Sequence, residues 1–196
     1  MILPIFAYGE PVLRKKAAVI DADYPKLQEL LDNMFETMYG ASGIGLAAPQ
    51  IGLPIRLFLV DASSFAEDED LTQEERESLG GLKKVFINAQ IVEEDGDEWA
   101  FNEGCLSIPD VREDVFRQSD VVIEYQDDNF KKHRDTFTGI AARIIQHEYD
   151  HIEGILFTDK LSPLKKRLIK TKLSNISKGK VSIDYRMRFP NIKKKR

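Results

Sequence analysis

The chain has 196 residues, of which 42% are hydrophobic and 31% charged, enough to bury one substantial core and short for two, so the reading is a single domain over 1–196 with a basic C-terminal extension from about 162 to 196. No stretch approaches the roughly 18 to 20 apolar residues of a membrane helix, and the start, Met1-Ile-Leu-Pro-Ile-Phe-Ala, lacks a basic leader; the expectation is a cytoplasmic protein with no membrane partner. The net charge of −5 divides unevenly: residues 1–159 carry 14 basic and 32 acidic side chains, and residues 160–196 carry 14 basic and one acidic. A basic tail on an acidic body suits a polyanionic partner, and suits equally a solvated, lysine-rich helix end.

After an extended start, 24–39 reads as an amphipathic helix. Leu27, Leu30, Leu31, Met34, Phe35 and Met38 form one stripe, Asp23 stands near the cap, Pro25 in the first turn and Gly40 beyond the end. Gly43-Ile-Gly-Leu-Ala-Ala-Pro-Gln50 is rich in small residues that let backbone approach something closely. It lacks the Lys-Ser/Thr of a phosphate loop, and Pro49 would interrupt the helix that such a loop opens.

Residues 55–60 predict a buried strand, and the acidic stretch 63–84 a surface excursion, part of it helical. Strands are expected at 85–92 and 98–102, joined by a hairpin at Asp95-Gly96, and again at 115–117, 121–125 and about 130–137 with a turn at 127–129. Ser162-Pro163 opens a C-terminal helix with Leu164, Leu168, Ile169 and Leu173 as its apolar stripe. A strand at 181–187 and a frayed end at 191–196 complete the expectation. Antiparallel strands with an N-terminal, a central and a C-terminal helix place the chain in the α+β class.

The central helix carries the chemistry. Gln146-His147-Glu148-Tyr149-Asp150-His151 is an HExxH sequence; Ile140, Ile144, His147 and His151 share one helical face, Thr138 can cap the start and Gly154 can end it. Histidines four apart can bind one metal ion while the glutamate reaches its water. Two histidines on a half-apolar helix are often ordinary packing residues. Here the chain has only three histidines, and two of them fall in this register. Cys105, the single cysteine, rules out an intramolecular disulfide framework. A lone cysteine is usually a small buried hydrophobe; a thiolate is also a natural third metal ligand, and Cys with His and His would leave a fourth position open, as catalytic sites do.

Gly43–Gln50, Glu103-Gly-Cys-Leu-Ser107 and Gln146–His151 resemble, in order and approximate spacing, the three signature motifs of peptide deformylases of the bacterial type. Tyr149 replaces a usual aliphatic residue, and the acidic stretch is longer than in compact members. The resemblance implies that Cys105, His147 and His151 ligate one divalent metal, Fe(2+) in the cell with Zn(2+) or Ni(2+) also accepted. It makes Glu148 the general base and acid, and Gln50 with the backbone N–H of Leu106 the oxyanion hole.

It further implies an N-formylmethionyl nascent peptide as substrate, with a methionine pocket at Ile44, Gly45, Phe101, Ile140 and Ile144. Arg112 would contact the substrate backbone, and Glu103 and Gln146 would orient the ligands. The ribosome is then a possible anchor for the basic tail. Against this stand two alternatives: an HExxH zinc endopeptidase, which would draw its third ligand from a later histidine or glutamate, although no histidine follows His151; and a non-catalytic protein with a structural metal, which would need a fourth protein ligand.

Overall fold

The computed structural model describes residues 1–190; the expectation of a frayed end at 191–196 lies outside them. Among the described residues seven strands and four α-helices follow in chain order: β1 (Ile5–Phe6), α1 (Leu27–Gly40), β2 (Gly45–Ala47), β3 (Leu57–Asp61), α2 (Gln73–Gly80), β4 (Lys83–Cys105), β5 (Ile108–Gln126), β6 (Lys132–Thr138), α3 (Gly139–Ile152), α4 (Pro163–Ser177) and β7 (Met187–Arg188). Strands β2 to β6 form one antiparallel sheet in sequence order, and β1 pairs in parallel with β7. The α+β expectation holds.

Strand alternation explains the layers. In β3 every residue is buried: Leu57 and Leu59 point into a cluster with Leu31, Met34 and Met38 of α1, whereas Phe58 and Val60 point into one with Ala141, Ala142, Ile144 and Ile145 of α3. The sheet therefore lies between α1 and α3. A third cluster joins Ile108, Val111 and Val115 of β5 to Leu156, Phe157 and the inner face of α4.

Several boundaries differ from expectation. The N-terminal helix begins at Leu27, because residues 21–26 make turns: the Tyr24 N–H donates to the Asp21 carbonyl at 3.1 Å, and Lys26 is left-handed at φ 56°. Pro25 thus precedes the helix. Asp95-Gly96 is no hairpin; Gly96 has φ 83°, and the β4–β5 register slips between Asp95 and Glu98, so the dipeptide forms a bulge in one continuous strand.

The β4–β5 turn is instead the two-residue Leu106-Ser107, bracketed by the Cys105–Ile108 pair. That places Cys105 at the tip of a long hairpin, and the separate strands expected at 115–117 and 121–125 are parts of one β5. In α4 the buried residues are Ile169, Leu173 and Ile176, while Leu164 and Leu168 are 68% and 70% exposed. The stripe runs one turn further along than expected. The expected strand at 181–187 is reduced to Met187–Arg188.

The acidic excursion is anchored at its end. Thr72 and Glu75 form a reciprocal capping box at the start of α2, and Leu79 and Leu82 are buried on the α3 side of the sheet. No helix among the described residues is long and apolar enough to cross a membrane.

Candidate metal centre

Helix α3 is buried along most of its length, and Gly154, at φ 76°, follows its last turn. His147 and His151 stand on the face that meets the β4–β5 hairpin tip, their rings 5.1 Å apart and nearly perpendicular. Cys105 Sγ is 3.3 Å from His151 Nε2. Ligand atoms of Cys105, His147 and His151 all lie within 4.8 Å of one another. One thiol and two imidazoles suit a borderline-soft divalent ion, and next to them the buried Glu148 Oε2 and His151 Nδ1 have no hydrogen-bond partner among the described residues. The residues fit a metal.

Behind this cluster lies a buried ionic network. His147 Nδ1 is 2.9 Å from Glu103 Oε2, leaving its Nε2 for the site. Arg117 grips Glu103 through Nε and Nη2, at 2.7 and 2.9 Å, and reaches Asp150 at 2.6 Å. Arg143 adds a contact to Glu103 at 3.1 Å and donates to the carbonyls of Val115 and Trp99. Burial alone would raise the Glu103 pKa, but the hydrogen bonds from His147 and Arg117 hold it well below the usual carboxylate range. A permanently ionised Glu103 orients His147 as carboxylate partners of metal-binding histidines do.

Sequence reasoning missed Arg117 and Arg143. The signal was present, for Arg143 stands four residues before His147 on the same helical face, and Arg117 shares a strand face with the buried Val115. Gln146 does not orient a ligand, because its Nε2 donates to the Gln118 carbonyl at 2.9 Å.

Burial is the largest influence on Glu148 and pushes its carboxyl up to about 7, with the Glu103 charge adding and His147 opposing. Burial is the largest single influence on both histidines; it lowers His151, while hydrogen bonds to Cys105 and Glu103 together outweigh it and raise His147. Gln50 sits in a buried 3-10 turn, Ala48–Ile51. Its Oε1 accepts from the Ala47 N–H at 2.8 Å, which aims Nε2 at Cys105 Sγ, 3.5 Å away, and at Ser107 Oγ, 3.3 Å away.

These groups open onto a cavity of about 600 Å³ walled by Ile44, Gly45, Phe101, Leu106, Arg112 and Ile144, among others. Ile140 is not on that wall; it packs in the core between α3 and the sheet. Arg112 is tied to Asn102 by bonds of 2.9 and 2.7 Å. Phe65, from the acidic excursion, and residues 182–185, from the C-terminal segment, also line the cavity, and neither was expected there. His133 is paired with Asp127 at 2.7 Å, far from the site in the β5–β6 turn region.

The family model for polypeptide deformylase matches residues 2–167. The chain belongs to the peptide deformylase family. It is 68% identical over 196 residues to the peptide deformylase of Christiangramia forsetii and 60% identical over 196 residues to that of Flavobacterium johnsoniae, in both cases covering 100% of each chain. A crystal structure of a peptide deformylase from Legionella pneumophila superposes with a TM-score of 0.77 at 36% identity, over 92% of this chain and 98% of the other. Arabidopsis thaliana peptide deformylase 1B in complex with an inhibitor gives 0.77 at 31% identity, over 94% and 98%.

As a peptide deformylase the protein is a hydrolase that removes the N-formyl group from nascent peptides, and its Cys/His cluster can bind the metal on which that family depends. The endopeptidase alternative is not favoured.

Proposed function

We propose that this deformylase acts on formylmethionyl nascent chains through one divalent ion held by Cys105, His147 and His151, with Glu148 as general base and acid. The observation that carries the proposal is the convergence of three ligand atoms within 4.8 Å of one another beside a buried, unpartnered Glu148 oxygen. A bound ion would supply Lewis acidity, making water a better nucleophile and the formyl carbonyl a better electrophile.

With its pKa raised to about 7, Glu148 takes the proton of the attacking water and returns it to the leaving amine. Gln50 Nε2, held in place by the Ala47 bond, and the Leu106 N–H donate to the oxygen that gains negative charge. Ile44, Gly45, Phe101 and Ile144 offer a small, apolar wall for a methionine side chain, and Arg112 stands at the groove for the substrate backbone; Ile140 supports that wall from the core.

Iron(II) is the proposed ion in the cell, with zinc or nickel as substitutes, because availability competes with the intrinsic affinity order. A single catalytic domain in the cytoplasm, with the basic tail from about residue 162 held near ribosomal RNA, completes the reading; the exposed Leu164 and Leu168 among lysines support a docking role for α4. Salt-sensitive co-sedimentation with ribosomes tests that part.

The decisive experiment supplies a formylmethionyl peptide beside its unformylated twin, with and without chelator. Formate release that chelator abolishes is expected from the first and no cleavage from the second; internal cleavage of either peptide would overturn the reading. Cys105→Ala should lose most of about one equivalent of metal.

A further inference from the structure

The family match ends at residue 167, yet the chain after α4 returns to the catalytic cavity. Ser182, Ile183, Asp184 and Tyr185 line it, and the segment is fastened by the parallel β1–β7 pair, in which the Ile5 N–H donates to the Arg186 carbonyl and the Ala7 N–H to the Arg188 carbonyl, each at 2.8 Å. Tyr185 then donates its hydroxyl to the Leu106 carbonyl at 2.8 Å, across 79 residues of sequence. The next carbonyl, that of Ser107, accepts from the Tyr8 N–H at 2.8 Å. Both carbonyls of the two-residue turn after Cys105 are thus held by chain-terminal segments.

We propose that Tyr185 is a positioning residue for deformylation, holding the Leu106 turn so that the Leu106 N–H and the Cys105 thiol keep their reactive geometry. The Cys105–Ile108 pair closes the turn, and the Leu106 and Ser107 carbonyls are held from outside it. Fixing the Leu106 carbonyl fixes the rotation between that carbonyl and the neighbouring peptide, whose N–H faces the developing oxyanion. The inference rests on the reading of Leu106 as an oxyanion donor.

Tyr185→Phe keeps the ring and removes only the hydrogen bond. In the full-length, metal-loaded enzyme, kcat for a formylmethionyl tripeptide should fall roughly three- to tenfold, the scale of one neutral hydrogen bond expressed at the transition state, while KM stays within twofold and metal content stays at one equivalent. An unchanged kcat per metal-loaded site would overturn the proposal. So would a loss accounted for entirely by lower metal content or by a lower melting temperature, which is what a merely structural prop would produce. Gln50→Ala tests the other proposed oxyanion donor separately: a slowed Gln50→Ala with a parent-like Tyr185→Phe would remove only the role of Tyr185, whereas parent-like rates in both would remove the oxyanion reading as well.

Discussion

Gly45 lies against Glu148 so closely that a β-carbon on Gly45 would sit 2.3 Å from Glu148 Oε1 and 2.6 Å from its carboxyl carbon. The small-residue segment therefore leaves room for the Glu148 side chain, and β2 presses its bare Cα onto the side chain that α3 presents. Gly45→Ala should fold, because the three nearest atoms, Oε1, the carboxyl carbon and Cγ at 2.7 Å, all belong to the Glu148 side chain and none to backbone. Glu148 has to swing away from the cluster, so formate release should fall by about 10²-fold or more at unchanged metal content, given that general acid–base catalysis is worth ~10²- to 10⁴-fold. A near-parental rate, with metal content confirmed by elemental analysis, would contradict the contact.

Glu148→Gln separates proton transfer from metal binding. The amide has the size of the carboxyl but neither accepts nor returns a proton, and in the proposed mechanism Glu148 serves twice, so a loss toward or beyond the upper end of ~10⁴-fold is expected with metal retained. Gln50→Ala, in its proposed role as one oxyanion donor, should lose less, roughly 10²- to 10³-fold. Single-turnover assays on metal-quantified protein distinguish the two.

Glu103→Gln addresses the network behind His147. Its loss leaves Arg117 and Arg143, each under 5% exposed, facing each other with less counter-charge, and breaking such buried pairs from one side costs about 3 to 5 kcal/mol. Denaturant titration should show that loss, and, if His147 is a ligand as proposed, competition with a chelator should show metal binding weakened by roughly 10- to 100-fold.

Asp61, at the end of β3, gives the fold a specific sensitivity to acid. Burial pushes its pKa up, but hydrogen bonds from Ser63 and Tyr39, with Lys83 adding, bring it down from 3.8 to about 2. The folded state therefore holds this proton less tightly than the unfolded chain does. The resulting stabilisation, on the order of 2 kcal/mol, is complete above the unfolded value and disappears as pH falls through about 4 toward 2. Asp61→Asn should be less stable than the parent at pH 7, and the gap should narrow as melting curves are recorded toward pH 2.5; a gap that stayed constant would exclude this linkage.

Local pattern carried much of this protein. The register of His147 and His151, the glutamate between them, the Ser162-Pro163 helix start and the α1 stripe are written in residues a few positions apart, where helical geometry leaves a periodic mark. Ligand chemistry then pointed to Cys105, and the three motifs together to the family. What the tertiary structure decided lies in contacts across long separations. Arg117 and Arg143 converge on Glu103 from β5 and α3, Gly96 serves a bulge where its local sequence equally suits a turn, and Tyr185 reaches Leu106 from a segment that pattern alone described only as a strand. Charged and turn-forming residues have several stable uses, and the local sequence does not choose among them; the partner that satisfies each one arrives from elsewhere in the chain, so only the folded arrangement selects the use.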